Sequence, residues 1–221
     1  QDIVIRLASG IRLSLLLAFG VSIINLLIGA IYGTIEGYYG GTTDLIMERI
    51  VDILAGLPVF VVATLFQMHL ANSAGIIPSL LFAFVLTGWI GTSRRVRTQF
   101  YRFKGQEFVL AARTLGAGNL RLMFKHIFPN TLGTIITSSV LVIPTVIFSE
   151  SMLSYLGIGN LSGTTMTSIG AMLSDGQAVL SSFPHVIFFP ALVISLLMIS
   201  FNLFGNGLRD AFNPSLRGVD D

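Results

Sequence analysis

Five long apolar segments constrain this chain more than any other feature of its sequence. They occupy residues 13–35, 53–70, 76–92, 132–148 and 183–204. A membrane-spanning helix needs about 20 mainly apolar residues to cross a hydrocarbon layer about 30 Å thick. Only 11% of the residues are charged, whereas soluble proteins average about 25%. The sequence therefore predicts an all-α polytopic membrane protein, with five transmembrane helices in a single membrane domain over residues 1–221.

Positive charge is concentrated between the third and fourth apolar segments. Residues 94–130 contain eight of the 13 lysines and arginines. Short loops rich in Lys and Arg stay on the cytoplasmic side, so we expect 94–130 to be cytoplasmic and 150–182, which has neither residue, to be extracytoplasmic. Five helices would place the N-terminus, with Arg6 and Arg12, outside against the same rule. We therefore expect at least one further helix, a sixth, to precede Gln1 in the complete protein.

Residue types needed for catalysis are missing or scattered. The chain has no cysteine, and His69, His126 and His185 lie in different segments. It contains no HExxH, GxSxG or GxxxxGK[ST] pattern. We expect no catalytic residue, no metal site and no cofactor bound by this chain itself. Nucleic-acid binding is disfavoured because the basic residues belong to one loop and not to a general surface.

The apolar segments also offer few groups that could bind a coupling ion. Their polar residues are mainly amides and hydroxyls, such as Asn25 and Gln67, while Asp52, His69 and Glu150 lie near segment ends. A proton- or sodium-coupled carrier needs ligands for its ion within the membrane. A secondary carrier and a membrane scaffold or receptor remain alternatives, but the energy for transport is expected to come from elsewhere.

Glycine and proline patterns indicate packed and kinked helices. Gly29, Gly33 and Gly37 repeat every four residues, which predicts a close contact between two helix backbones. Pro58, Pro144 and Pro190 fall inside predicted spans, where each would remove a backbone hydrogen bond and kink the helix. These three prolines are candidate gating hinges.

The basic loop has a helical pattern of its own. Its first apolar stripe comprises Phe108, Ala111, Ala112 and Leu115, at i, i+3, i+4 and i+7. Gly116 and Gly118 are expected to end this helix, and Asn119 to cap a second one. A shallow stripe of Ala and Leu is suited to docking into a groove on another protein. In the outer 150–182 segment we expect a helical piece near 167–174 and a surface that meets an external protein or seals the pathway.

This loop resembles the cytoplasmic loop of the permease subunits of ATP-binding-cassette importers, specifically the dipeptide, oligopeptide and nickel group. The family pattern is Glu-Ala-Ala, three residues, Gly, nine residues and an apolar pair ending in Pro. The matching residues here are Ala111, Ala112, Gly116 and Pro129. Leu110 stands where the family has Glu, and His126 where it prefers Ile. Glu107, three residues upstream, is a candidate to supply the carboxylate.

Other segments carry the same resemblance over nearly the whole chain. They are RLASGIRLSLLLAFG, EGYYGGTTDLIMERIVDILAGLP, SESMLSYLGIG and GNGLRDAFNPSLR. In that family a helix precedes the first of these segments, which agrees with the expected sixth helix.

The resemblance implies a pathway subunit in the cytoplasmic membrane of a prokaryote. Its partners would be a second homologous permease, two cytoplasmic ATPase subunits that bind ATP and Mg, an extracytoplasmic peptide-binding protein and membrane lipid. The substrate would be an oligopeptide or dipeptide, with nickel or another small solute as the alternative, and transport would occur by alternating access. The residues expected to dock on the ATPase are Glu107, Ala111, Ala112, Arg113, Thr114, Leu115, Gly116, Ala117 and Gly118.

Overall fold

The computed structural model describes residues 3–158 and 167–212. All regular elements in these ranges are helical, which confirms the all-α prediction. The elements are α1 (Ile3–Tyr39), α2 (Gly41–Ala55), α3 (Val59–Ala74), α4 (Ile76–Gly88), α5 (Ile90–Phe103), α6 (Glu107–Thr114), α7 (Asn119–Arg121), a π-helical segment (Leu122–Ile127), α8 (Phe128–Val140), α9 (Val142–Tyr155), α10 (Ile169–Ala178) and α11 (His185–Ala211).

Four helical stretches of the described chain are long and apolar enough to cross a membrane. They are Ile3–Tyr39, Ile76–Phe103, Asn119–Tyr155 and His185–Ala211. The pair α2 and α3, interrupted at 56–58, passes the same test when it is taken as one span. By length and composition the described residues therefore provide four spans, or five with this interrupted pair.

Two helices extend beyond the apolar segments that predicted them. α1 continues to Tyr39 and includes Glu36, and α9 continues to Tyr155 and includes Glu150. These glutamates expose only 0% and 3% of their surfaces. A hydropathy pattern ends at a charged residue, but a helix continues when that residue finds polar partners inside the protein. Residues 150–155 consequently belong to α9 and not to a loop.

Two of the three candidate prolines lie at breaks within predicted spans. Pro58 precedes α3 as its N-cap, at the break between α2 and α3, and Pro144 is the third residue of α9, three residues after the break between α8 and α9 at 141. Proline is tolerated in the first helical turn because the N–H groups of that turn have no carbonyl partner within the helix. The α2–α3 pair bends by 73° at the first of these breaks, and the gating role of the three prolines stays a prediction. Pro190 does lie inside its helix, α11.

The described residues form two compact units, and the first comes from within 1–22, 58–86 and 141–204. Its buried apolar core draws on four helices, and Phe201 of α11 is partly buried against it. The buried residues are Leu17, Ala18 and Val21 of α1, Val62 and Ala63 of α3, Leu80, Ala83 and Phe84 of α4, and Ile143, Val146, Ile147 and Leu153 of α9. In the same unit, Ser168 caps α10 by accepting a hydrogen bond from the backbone N–H of Ala171 at 3.2 Å. This helix begins within the 167–174 piece expected from the sequence.

The second unit comes from within 23–57, 87–140 and 205–221 and contains the loop that the sequence analysis singled out. Its main core consists of Ala30, Tyr38, Val96, Phe100, Val109, Leu122, Met123, Ile127 and Ile135. Several of these residues anchor the loop, among them Val109 on α6 and Leu122 at the start of the π-helical segment. Burial of such side chains stabilises the attachment by about 1.5–3 kcal/mol each.

Backbone contact between α1 and α5 holds this second unit together. A Cβ atom added at Gly29 would lie 2.7 Å from Thr92 Cβ, and one added at Gly37 would lie 2.7 Å from Phe100 Cβ. At Gly33 it would overlap the backbone carbonyl oxygen of Ser93. The close helix contact predicted from the glycine spacing is confirmed.

Candidate functional site

The turn after α6 is a Schellman motif built around one glycine. The N–H of Gly116 donates to the carbonyl of Arg113, and the N–H of Ala117 donates to the carbonyl of Ala112, both at 3.0 Å. Gly116 has φ +86°, a left-handed conformation that glycine adopts without steric cost. The glycine of the loop pattern is therefore the residue that ends this helix, as the sequence predicts.

The inner face of α6 is fixed to the core of the second unit. Val109 is fully buried there, and Ala112 and Ala117 pack against the same core. In a Schellman motif, the two residues at the positions of Ala112 and Ala117 commonly make an apolar contact with each other. Two residues expected on the docking surface thus face inward. Val109 lies outside the i, i+3, i+4, i+7 stripe, so the sequence pattern does not indicate its role.

The outer face of α6 is free of contacts with the core. Leu115 exposes 89% of its surface, and Phe108 and Leu110 are also exposed. The remaining docking candidates in α6 and in the turn after it are also exposed: Glu107, Ala111, Arg113, Thr114, Gly116 and Gly118. Seven of the nine candidates are therefore accessible.

Asn119 does not cap the second helix as expected. Gly118 occupies the N-cap position, and Asn119 is the first helical residue. Its side-chain oxygen accepts a hydrogen bond from the hydroxyl of Tyr38 at 2.8 Å. The carbonyl oxygen of an Asn side chain can accept a hydrogen bond from any nearby donor. Here the donor is the Tyr38 hydroxyl of α1 and not a backbone N–H group of the second helix. The interaction ties the start of α7 to the end of α1.

An ion-pair network joins α2 to α5, and the sequence analysis missed it. The guanidinium of Arg97 donates to both carboxylate oxygens of Asp44, at 2.5 and 2.8 Å. Such bidentate pairs are stronger and more directional than single hydrogen bonds. Arg97 also lies 3.5 Å from Glu36, the fully buried glutamate of α1. Arg97 therefore connects three helices.

Arg94 extends this network along α2. It donates to Glu48 at 2.9 Å and to Asp52 at 2.7 Å, and Arg49 lies 3.3 Å from Asp52. Asp44, Glu48 and Asp52 recur every four residues, so they share one face of α2. This spacing is visible in the sequence, but nothing local to α2 identifies arginines more than 40 residues away as the partners.

Lys104 fastens the segment that leads into α6. Its ammonium donates to the backbone carbonyl of Gly37 at 3.0 Å and lies 3.9 Å from the centre of the Tyr101 ring. Burial lowers the pKa of Lys104 from its ordinary value. The buried Val109 and the Lys104 contact together attach α6 to the ends of α1 and α5.

In the first unit, a polar cluster surrounds Glu150. Its two carboxylate oxygens accept hydrogen bonds from the hydroxyls of Ser14 at 2.8 Å and Ser154 at 3.0 Å. Gly170 packs so tightly against the backbone of Ser151 that a side chain there would overlap it. Glu150 lies near the end of an apolar segment, and no local pattern in the sequence predicts this burial.

Comparisons with known proteins agree with the family resemblance of the loop and with the helical membrane fold. Residues 25–218 match the family described as binding-protein-dependent transport system inner membrane component. The chain is 43% identical over 217 residues to the oligopeptide transport system permease protein OppC of Bacillus subtilis, covering 98% of this chain and 70% of that protein. It is 42% identical over 218 residues to the dipeptide transport system permease protein DppC of the same organism, covering 98% and 67%.

Solved structures are similar to the fold over nearly its whole length. A chain of the inward-facing MetNI methionine ABC transporter has a TM-score of 0.76 and 14% identity, covering 94% of this chain and 96% of that one. A chain of an amino acid ABC transporter crystallised with histidines has a TM-score of 0.70 and 15% identity, with 93% of each chain covered. At these identities the likeness concerns the fold alone. The family match and the two Bacillus relatives together establish that the chain belongs to the family of binding-protein-dependent transport system inner membrane components.

Proposed function

We propose that this chain is the pathway subunit of an ATP-driven importer of oligopeptides or dipeptides. The substrate is carried over from the two relatives named for oligopeptide and dipeptide transport, at 43% and 42% identity. Its partners are a second homologous permease, two cytoplasmic ATPase subunits that bind ATP and Mg, and an extracytoplasmic peptide-binding protein. In this arrangement 94–130 is cytoplasmic and 150–182 meets the binding protein.

The observation that carries the proposal is the two-sided character of α6. Its inner face is fixed to the core by Val109, whereas Leu115 on the outer side exposes 89% of its surface. A large apolar side chain so exposed on a short helix of the basic loop is suited to a pocket on a partner protein. The outer face of α6 is therefore the ATPase-docking surface.

Coupling follows from how α6 is attached. Closure of the ATPases on ATP displaces α6, and the contacts of Val109 and Lys104 pass this displacement to α1 and α5. The spanning helices then change from an inward-open to an outward-open arrangement, and hydrolysis of ATP restores the first state. The chain itself hydrolyses no ATP in this scheme.

A substitution at Leu115 tests the docking surface. We expect Leu115→Asp to leave the permease folded, because the side chain is already in solvent, and to weaken ATPase binding about thirtyfold, the loss typical of an interface hot spot of about 2 kcal/mol. Co-purification of the ATPases and ATP-dependent peptide uptake into vesicles are the measurements. Leu120→Asp is the matched control, since Leu120 is also exposed but lies outside the proposed surface. Undiminished co-purification and uptake with Leu115→Asp would contradict the assignment.

A further inference from the structure

A cavity of about 370 Å³ lies in the second unit, away from the docking surface of α6. Its volume falls within the range of about 300–1,000 Å³ found for small-molecule sites. The side chains that define it come from α5, α8 and the end of α11: Gln99, Arg102, Thr134, Thr137, Arg209 and Phe212. Neither the docking of α6 nor the ion-pair network uses this cavity.

The cavity is positively charged, and none of its lining residues in the described ranges is acidic. Arg102 and Arg209 both contribute to its wall, and neither pairs with a carboxylate in the part of the chain that the structure describes. By contrast, Arg94 and Arg97 on the same α5 helix are both paired with acidic residues of α2. Two guanidinium groups facing one cavity without counter-charges favour an anionic ligand, and their planar arrays of donors match phosphate oxygens.

The position of these arginines along their helices indicates which class of anionic ligand the cavity binds. Arg102 is in the last turn of the span-length stretch Ile76–Phe103, and Arg209 is in the last turn of His185–Ala211. These stretches of 28 and 27 residues are about 40 Å long, which matches the thickness of a bilayer together with its headgroups and places their last turns at headgroup level. Phe212, directly after α11, lines the same cavity and gives its wall an apolar ring. The cavity therefore combines a polar, basic wall with an apolar ring at headgroup depth.

We propose that this cavity binds the phosphate of an anionic phospholipid. The two arginines hold the phosphate oxygens, Thr134 and Gln99 supply further donors, and Phe212 contacts the start of an acyl chain. Basic pockets between transmembrane helices bind anionic headgroups by the same chemistry. Free inorganic phosphate shares the phosphate group but lacks the apolar part that Phe212 would contact. This lipid site is independent of the transported substrate.

Native mass spectrometry of the importer complex in detergent tests the proposal, with phosphatidylglycerol as the anionic probe and phosphatidylcholine as the zwitterionic one. We expect the wild type to retain phosphatidylglycerol preferentially. The double variant Arg102→Gln with Arg209→Gln should bind it about thirtyfold more weakly, because each arginine near the headgroups contributes about fivefold. Arg121→Gln removes the same charge from an exposed residue outside the cavity and should change nothing.

A second variant covers the case in which the double variant does not assemble. Thr134→Phe fills the cavity, leaves both arginines in place and changes an exposed residue, and it should also prevent retention of phosphatidylglycerol. Equal retention by wild type and by either cavity variant would overturn the proposal. Displacement of phosphatidylglycerol by millimolar inorganic phosphate would instead identify a site for a soluble anion and overturn the lipid assignment.

Discussion

Gly116 and Gly118 bracket the turn between α6 and α7, and a side chain at either position would meet nothing within 4 Å. They differ in backbone conformation, since φ is +86° at Gly116 and −70° at Gly118. Only the first conformation excludes ordinary side chains. At the residue scale the requirement for glycine is therefore conformational at Gly116, whereas at Gly33 in α1 it is a matter of space.

This difference predicts unequal effects of alanine at the two turn positions. Gly116→Ala should weaken the end of α6 by about 1–2 kcal/mol, the cost of a left-handed conformation for an L-residue. Gly118→Ala should have almost no effect. Hydrogen exchange of the Gly116 and Ala117 amides, which close the turn, measures this cost directly. Equal protection in the two variants would mean that the turn does not require a positive φ.

Alanine in place of a tightly packed glycine of α1 should also lower stability, but because space is lacking and not because of backbone conformation. Gly33→Ala places a Cβ atom in the space of the Ser93 carbonyl oxygen, and overpacking of this kind costs about 1–3 kcal/mol. Gly207→Ala is the matched control, because Gly207 is also helical and has open space around it. There alanine should be neutral or should stabilise the helix by up to about 1 kcal/mol. Thermal unfolding in detergent separates the two results.

At the scale of elements, α2 is held to α5 by charges of unequal burial. Arg97 exposes 28% of its side chain and faces the fully buried Glu36, whereas Arg49 exposes 73%. Exposed ion pairs contribute little because water and salt screen them, but removing one partner of a buried pair leaves an uncompensated charge. The network therefore depends mainly on its inner arginine.

Charge-removing substitutions along this network should follow the order of burial. Arg97→Gln should destabilise the second unit by about 2–3 kcal/mol, below the 3–5 kcal/mol of a fully buried pair because Arg97 is partly exposed. Arg94→Gln should cost about 1 kcal/mol or less, and Arg49→Gln should cost almost nothing. Unfolding measured at low and high salt gives the order and shows how strongly each pair is screened. A loss for Arg49→Gln equal to that for Arg97→Gln would refute this account.

Local sequence patterns predicted some of these elements and not others. The α6 helix, its end at Gly116 and the glycine contact of α1 depend on residues close in the chain, so spacing alone indicated them. Which side of α6 faces inward depends on Val109 reaching the core of the second unit. The network depends on Arg97 meeting Asp44, 53 residues away. Contacts of this kind have no local pattern, so the sequence could not assign them.

At the scale of the whole molecule, the described chain has many polar contacts but no recognised nucleotide-binding pattern. The importer proposal places the energy source in partner subunits. The alternative, a secondary carrier, would draw energy from an ion gradient instead. The two therefore differ in what stops transport.

Uptake into vesicles that contain the complete importer should stop when ATP hydrolysis is blocked, even with proton and sodium gradients intact. It should continue when these gradients are dissipated with ATP present, because the ATPases and not an ion supply the energy. Radiolabelled peptide accumulation measures both conditions, and labelled nickel tested in parallel distinguishes the substrate classes. Uptake that follows the ion gradients would favour the carrier.

The close contact of α1 with α5 has a further consequence for the entropy of folding. Glycine has no side-chain rotamers to lose, and the β-branched Thr92 and Val96 that face Gly29 and Gly33 have few. The two helices can therefore come together with little loss of side-chain freedom. The contact holds one well-defined geometry, and we expect it to remain the least mobile part of the second unit while the protein changes state.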